Sequence, residues 1–235
     1  MESRPQPSFD NTEIAFGGKS NSELKRAFWL FKLIGNPLLV KAGKVMTHTA
    51  LTLRIPIGWA IKGNIFKQFC GGETIHECRR ATQGLSKFNI GTILDYSVEG
   101  KENESDFENT KAETILTIEA AAKDPSIPFC VFKASALTSV SLLEKIQRFP
   151  KTVTDDEWRS FEFFKTRFQT LCREAYLAGV RIMVDAEESW IQTVVDDFTY
   201  QMMALYNQQK PIVYITYQMY RHDRLDELKK TIGFC

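Results

Sequence analysis

Long hydrophobic runs are missing from this chain of 235 residues, and so is an excess of charge of either sign. Its most apolar stretch, TALTLRIPIGWAIKGNI (residues 49–65), is broken by Arg54, Pro56 and Lys62 and is too short and interrupted to cross a bilayer. The opening residues MESRPQPSFDNTEIAFGGKSNSE lack the apolar core of a secretory signal, and their early acids argue against a mitochondrial presequence, so a cytoplasmic protein is expected. Thirty basic against 29 acidic residues leave a formal charge of +1, so no global field points to nucleic acid and no such partner is expected. Cysteine is sparse: none of the five (Cys70, Cys78, Cys130, Cys172, Cys235) has C-x-x-C spacing, and the three histidines complete no zinc pattern. That disfavours a structural metal and makes a reducing compartment the default. No glycine-rich phosphate loop follows the first strand, which disfavours a dinucleotide-binding open sheet.

What is present is a basic helical segment followed by alternating strands and helices. Residues 1–21 read as a flexible arm. Residues 22–65 are helical in character, with seven basic residues (Lys25, Arg26, Lys32, Lys41, Lys44, Arg54, Lys62) and Glu23 as the one acid. The aromatics and leucines of this segment suit either a protein core, the usual partner of an amphipathic helix, or a peripheral contact with an anionic membrane. Residues 66–235 then carry short apolar runs: NIFKQFC (beginning at Asn64), IGTILDY, IPFCVFKAS, VRIMVDA and PIVYITYQ, with helical segments between them. The strongest helix is DDEWRSFEFFKTRFQTLCREAYLAG, where Trp158, Phe161, Phe164, Phe168, Leu171 and Cys172 recur at helical spacing. Asp155 and Asp156 suit its start and Gly179 its stop. About five such alternations predict an α/β fold with a parallel sheet, of the (β/α)8 barrel type but incomplete.

In such folds, polar residues at the carboxyl ends of strands build the site. Asp95, Lys133, Asp185 and Gln218 all fall at or near such ends. Lys133 interrupts the apolar run FCVFKAS, where burial requires a partner. It suits either an ion pair or a Schiff-base nucleophile of the aldolase type. The stretch GVRIMVDAEES (179–189) alternates apolar residues and then ends in Asp185, Glu187 and Glu188. So much negative charge at a strand exit needs compensation, which Lys133 on a neighbouring strand could supply.

Four blocks carry a family resemblance. FCGGETIHECRRATQGLSKFNIGTILDYSVEG, FKASALTS, VDAEES and TYQMYR resemble, in order, blocks of the proline dehydrogenase family, over about residues 60 to 222. The resemblance implies a (β/α)8 barrel holding FAD, oxidation of L-proline to Δ1-pyrroline-5-carboxylate, and transfer of electrons to a quinone, with peripheral contact at the inner membrane. It also implies roles for residues. Lys62 is matched to a contact with the substrate carboxylate, Asp95 to the active-site aspartate and Tyr96 to a neighbouring flavin contact. Val213 and Ile215 are matched to flavin-facing positions, although the family usually has an amide where Ile215 stands. Lys133, Asp185, Glu187 and Glu188 are read as a charge network that positions the site. The family's later strand with its arginine and its KGAY-like loop, and its paired arginines for the proline carboxylate, have no counterpart in these residues. The expectation is therefore a fragment, half of a split enzyme or a truncated product, which does not turn over proline alone. An inactive module needing a complementary chain, and a Lys133-dependent aldolase, are the alternatives.

Overall fold

The computed structural model describes residues 9–58, 62–96 and 102–233. Two compact units divide the chain, Met1–Ile90 and Gly91–Cys235. The part of the expected arm up to residue 8 lies outside the described residues. Asn11 then caps a short helix, α1 (Thr12–Phe16), by accepting from the Ile14 amide at 3.0 Å.

The rest of the first unit is helical. Helix α2 (Asn21–Ile34) starts with a reciprocal cap, in which Ser20 Oγ accepts from the Glu23 amide and the Glu23 carboxylate from the Ser20 amide. Helix α3 (Pro37–Thr52) starts at Asn36, with Pro37 in its first turn, where a missing N–H costs nothing. No residue of α2 or α3 is fully buried: Leu24 and Leu30 are half-buried, whereas Trp29 is 58% and Leu38 77% exposed. The run NIFKQFC, expected as a first strand, is mostly helical: a π-helical turn (Lys62–Phe66) passes into an α-helical turn (Lys67–Phe69). Its apolar residues Ile65, Phe66 and Phe69 lie at i, i+1 and i+4, the pattern of a helix face, and Phe69 meets Phe31 edge-on at 6.1 Å. Helix α4 (Ile75–Ser86) is capped by Thr74. Just before it, a Cβ on Gly72 would come within 2.6 Å of the Glu77 Cβ, so this turn accepts only glycine.

In the second unit strands and helices alternate: β1 (Ile93–Leu94), α5 (Glu104–Lys123), β2 (Phe129–Lys133), α6 (Val140–Arg148), α7 (Asp155–Ala178), β3 (Arg181–Asp185), α8 (Gln192–Tyr206), β4 (Val213–Ile215) and α9 (Arg224–Ile232). Among the described residues the sheet has four strands instead of about five, all parallel, in the expected chain order β1-β2-β3-β4. Alternation sorts its faces. Cys130, Phe132, Ile182, Val184 and Val213 are buried with Phe164, Phe168 and Leu171 of α7 and Val195 and Phe198 of α8. The Phe168 ring meets those of Phe132 and Phe198 edge-on, at 4.9 and 5.0 Å. Burial pushes the Cys130 thiol up to about 11, in keeping with a small core residue.

Helix α7 is the spine of this core. Thr154 and Glu157 cap its start reciprocally, and Gly179, at φ +68°, ends it in the left-handed conformation. Lys145 of α6 donates to Glu157 at 2.6 Å and, with the cap, lowers that carboxyl to about 2. Arg167, buried in mid-helix, donates to Glu104 and Glu108 of α5 and to the Leu137 carbonyl, fastening α5 and the segment after β2 to the spine. Phe168 is fully buried at the centre. Phe168→Ala is therefore expected to cost about 3–5 kcal/mol in urea unfolding, and a loss below about 1 kcal/mol would contradict this account of the core.

Candidate active site at the carboxyl ends of the strands

The carboxyl ends of β2, β3 and β4 open into a cleft of about 610 Å³. Lys133 and Ser135 line it after β2, residues 186–189 after β3, and Gln218, Tyr220 and Arg221 after β4. Parallel strands all end at one edge, so the polar residues that close them converge there. The register sets Lys133 beside Asp185, and Lys133 Nζ donates to Asp185 Oδ2 at 2.6 Å. Thr216 Oγ1 lies 3.3 Å from Asp185 Oδ1 and accepts from the Ala186 amide at 2.7 Å. The buried Glu187 carboxylate accepts from the Ser135 amide at 2.8 Å and from the Ser135 hydroxyl. Glu188 is exposed, and its carbonyl accepts from the Gln192 amide at 3.1 Å, closing the turn into α8. The acidic exit of β3 is thus compensated residue by residue: a cation faces Asp185, neutral donors face Glu187, and solvent faces Glu188.

The electrostatics follow from these contacts. Burial works against the Lys133 ammonium, but its hydrogen bond to Asp185 and the charges of Asp185, Asp95 and Glu187 outweigh burial and hold its pKa above the ordinary lysine value. A lysine held this way is a fixed cation. It is not the free amine that a Schiff-base nucleophile requires, so the aldolase alternative loses its support. Burial raises the Glu187 carboxyl above the usual range; the Ser135 donors oppose that shift, Glu188 adds to it, and Lys133 opposes it.

The expected residues do not all share this site. Lys133, Asp185 and Glu187 meet as one cluster, Glu188 stands exposed beside Glu187, and Asp95, directly after β1, adds its charge to the same ammonium. Tyr96 follows it, 38% exposed. Lys62 belongs to the first unit, where its ammonium donates to Glu73 at 2.5 Å. Val213 is packed in the core, and Ile215, two residues on, follows it to that face of the sheet. The β4 side chains on the face of the Lys133–Asp185 pair are Tyr214, edge-on to Phe129 at 5.1 Å, and Thr216. Thr216, Ser135 and Gln192 are site residues that sequence reasoning passed over. Only the strand register, Val184 beside Ile215, brings Thr216 to Asp185.

Comparison with known proteins agrees with this architecture. Residues 78–234 match the family model described as Proline dehydrogenase. The chain is 31% identical over 258 residues to proline dehydrogenase 1, mitochondrial, of Dictyostelium discoideum, covering 94% of this chain and 45% of that protein. It is 33% identical over 157 residues to the carbapenem antibiotics biosynthesis protein CarD of Pectobacterium carotovorum subsp. carotovorum, covering 67% of this chain and 42% of that one. It thus spans less than half the length of these two relatives. Among solved structures, proline utilization A from Bdellovibrio bacteriovorus, inactivated by N-propargylglycine, superposes with a TM-score of 0.62 at 17% identity, over 99% of this chain and 26% of that one, a likeness of fold. The family pattern runs through all four strands and the cleft they open into, and the chain belongs to the proline dehydrogenase family.

Proposed function

We propose that the four-stranded sheet is part of a (β/α)8 barrel whose strand-end cleft takes FAD and L-proline, and that the chain serves the oxidation of L-proline to Δ1-pyrroline-5-carboxylate. The observation that carries the reading is the Lys133–Asp185 pair standing in register at the strand ends, in a chain of this family. A cleft of about 610 Å³ is of cofactor size. Its donor set fits a polar, electron-rich ligand: Lys133, Gln218 and Arg221 line it, and Arg221 Nη1 is buried without a protein partner while the rest of that guanidinium grips Asp223. Bound FAD would supply the two-electron acceptor for the hydride that proline loses.

The residues of this chain divide the remaining work. Lys133, kept cationic, offers fixed positive charge and N–H donors at the strand ends. Asp185 and Thr216 orient that ammonium, and Glu187 holds the β3 exit against Ser135. Asp95 and Tyr96 are assigned to the same edge, Asp95 as the acid nearest the reaction. Lys62 is assigned to the substrate carboxylate on the resemblance alone; Val213 and Ile215, matched there to the flavin, lie on the helix-covered face of the sheet, away from the Lys133–Asp185 pair, and are not assigned to the flavin. Flavin uptake tests the reading most simply, because it does not require turnover. Titration of the purified chain with FAD, followed by flavin fluorescence, is expected to show saturable binding that Lys133→Met weakens on the order of a hundredfold. A chain that takes up no flavin at any concentration would defeat the proposal.

The electron acceptor is proposed to be a membrane quinone, reached by peripheral contact. No helix among the described residues is long and apolar enough to cross a membrane. Helix α2 instead exposes Phe28, Trp29, Phe31 and Leu33 beside Lys25, Arg26 and Lys32, with the Lys32 ammonium 5.0 Å from the Trp29 ring. Apolar residues among cations suit an anionic lipid surface. Vesicles containing anionic lipid should pellet the chain at low salt and release it at about 0.5 M salt, where screening is nearly complete within a few ångströms. No co-sedimentation at low salt would rule the contact out.

A further inference from the structure

A buried polar chain joins the three loops that line the cleft. It starts after β2 at Ser135, whose amide and hydroxyl donate to Glu187 after β3. The Glu187 amide donates to Gln192 Oε1 at 2.7 Å, and Gln192 Nε2 donates to Asp196 Oδ1 at 2.6 Å, both on α8. Asp196 Oδ2 accepts from Arg224 Nη1 at 2.5 Å, and Arg224 opens α9 after β4. Glu187, Gln192, Asp196 and Arg224 are all buried. Arg224 is itself held by Asp223, which accepts from its Nη2 at 3.0 Å and its Nε at 3.3 Å.

Stability alone is a poor reason for such a pair, since apolar residues of similar volume usually replace a buried ion pair without loss. What leucine and methionine could not do is orient the Gln192 carboxamide. Asp196 has one oxygen for Arg224 and one for Gln192. Occupied on both sides, it fixes Nε2 on itself and so turns Oε1 toward the Glu187 amide. A carboxamide without that acceptor is free to rotate and release the amide.

We propose that Arg224 and Asp196 are positioning residues of the cleft: through Gln192 they fix the Glu187 turn against Ser135 and hold the exits of β2, β3 and β4 as one unit. The ligand in this inference is the flavin of the reading above; the mechanics do not depend on it. The test removes the pair together, as Asp196→Leu with Arg224→Met, so that no charge is left buried alone. The double variant is expected to keep its urea midpoint. Its Glu187 and Ser135 amides should exchange hydrogen about tenfold faster, because their partners have become mobile, and its FAD affinity should fall about tenfold, as coupled network residues do. Gln192→Met leaves the Arg224–Asp196 pair intact and should reproduce both effects; it decides the matter if the double variant does not fold. Wild-type exchange at both amides, or unchanged FAD affinity, in either folded variant would overturn the proposal. If the unaltered chain takes no flavin, that failure belongs to the flavin reading, and amide exchange alone decides this one.

Discussion

The in-register meeting of Lys133 and Asp185 is the constraint on which the site depends. Both residues close strands, and both lie on the half-buried face of the sheet, opposite the aromatic core. A slip of one residue between β2 and β3 would send one member of the pair to the helix-covered face, where an unpaired charge is prohibitively costly. The core and the site therefore enforce the same register. Packing of Phe132 and Val184 beneath α7 and α8 leaves Lys133 and Asp185 no other arrangement, and the ion pair in turn penalises any register that would break that packing.

Around this pair the structure deals with charge in three ways. Asp185 is neutralised by a cation, Glu187 is satisfied by neutral donors and its carboxyl rises, and Glu188 is left to water. The scaffold follows the same logic further out. Arg167 is buried within α7 and binds two acids of α5, and Arg224 is buried against Asp196. Each buried guanidinium joins elements that are distant in the chain, so charge is spent on connecting loops and helices while the aromatic core supplies most of the burial.

The regular part of this was legible in the sequence. Short apolar runs identified β1 to β4, and helical spacing from Trp158 to Cys172, with Asp155 at one end and Gly179 at the other, located α7 almost to the residue. The acid-rich exit of β3 and the lysine in the β2 run were readable as partners because each alone is an unfavourable feature. The run at residues 64–70 was misread because a short apolar stretch fits a strand or a helical turn equally, and its i, i+1, i+4 pattern decides for the turn. The apolar residues of α2 and α3 look like a core pattern, but none is fully buried. Gln192, Asp196, Thr216 and Arg224 left no signal. Their bonds join residues separated by 28 to 32 positions, or lie within one helix and its entry turn, and neither leaves a periodic trace.

The central claim is that Lys133 and Asp185 act as one unit that organises the cleft. A double-mutant cycle with Lys133→Met and Asp185→Asn, read by urea unfolding and by FAD affinity, tests it directly. The account predicts that the double variant loses little more than either single one, a coupling of at least about 1 kcal/mol in both readouts. Additive losses in the two readouts would mean that the residues act independently and would contradict it.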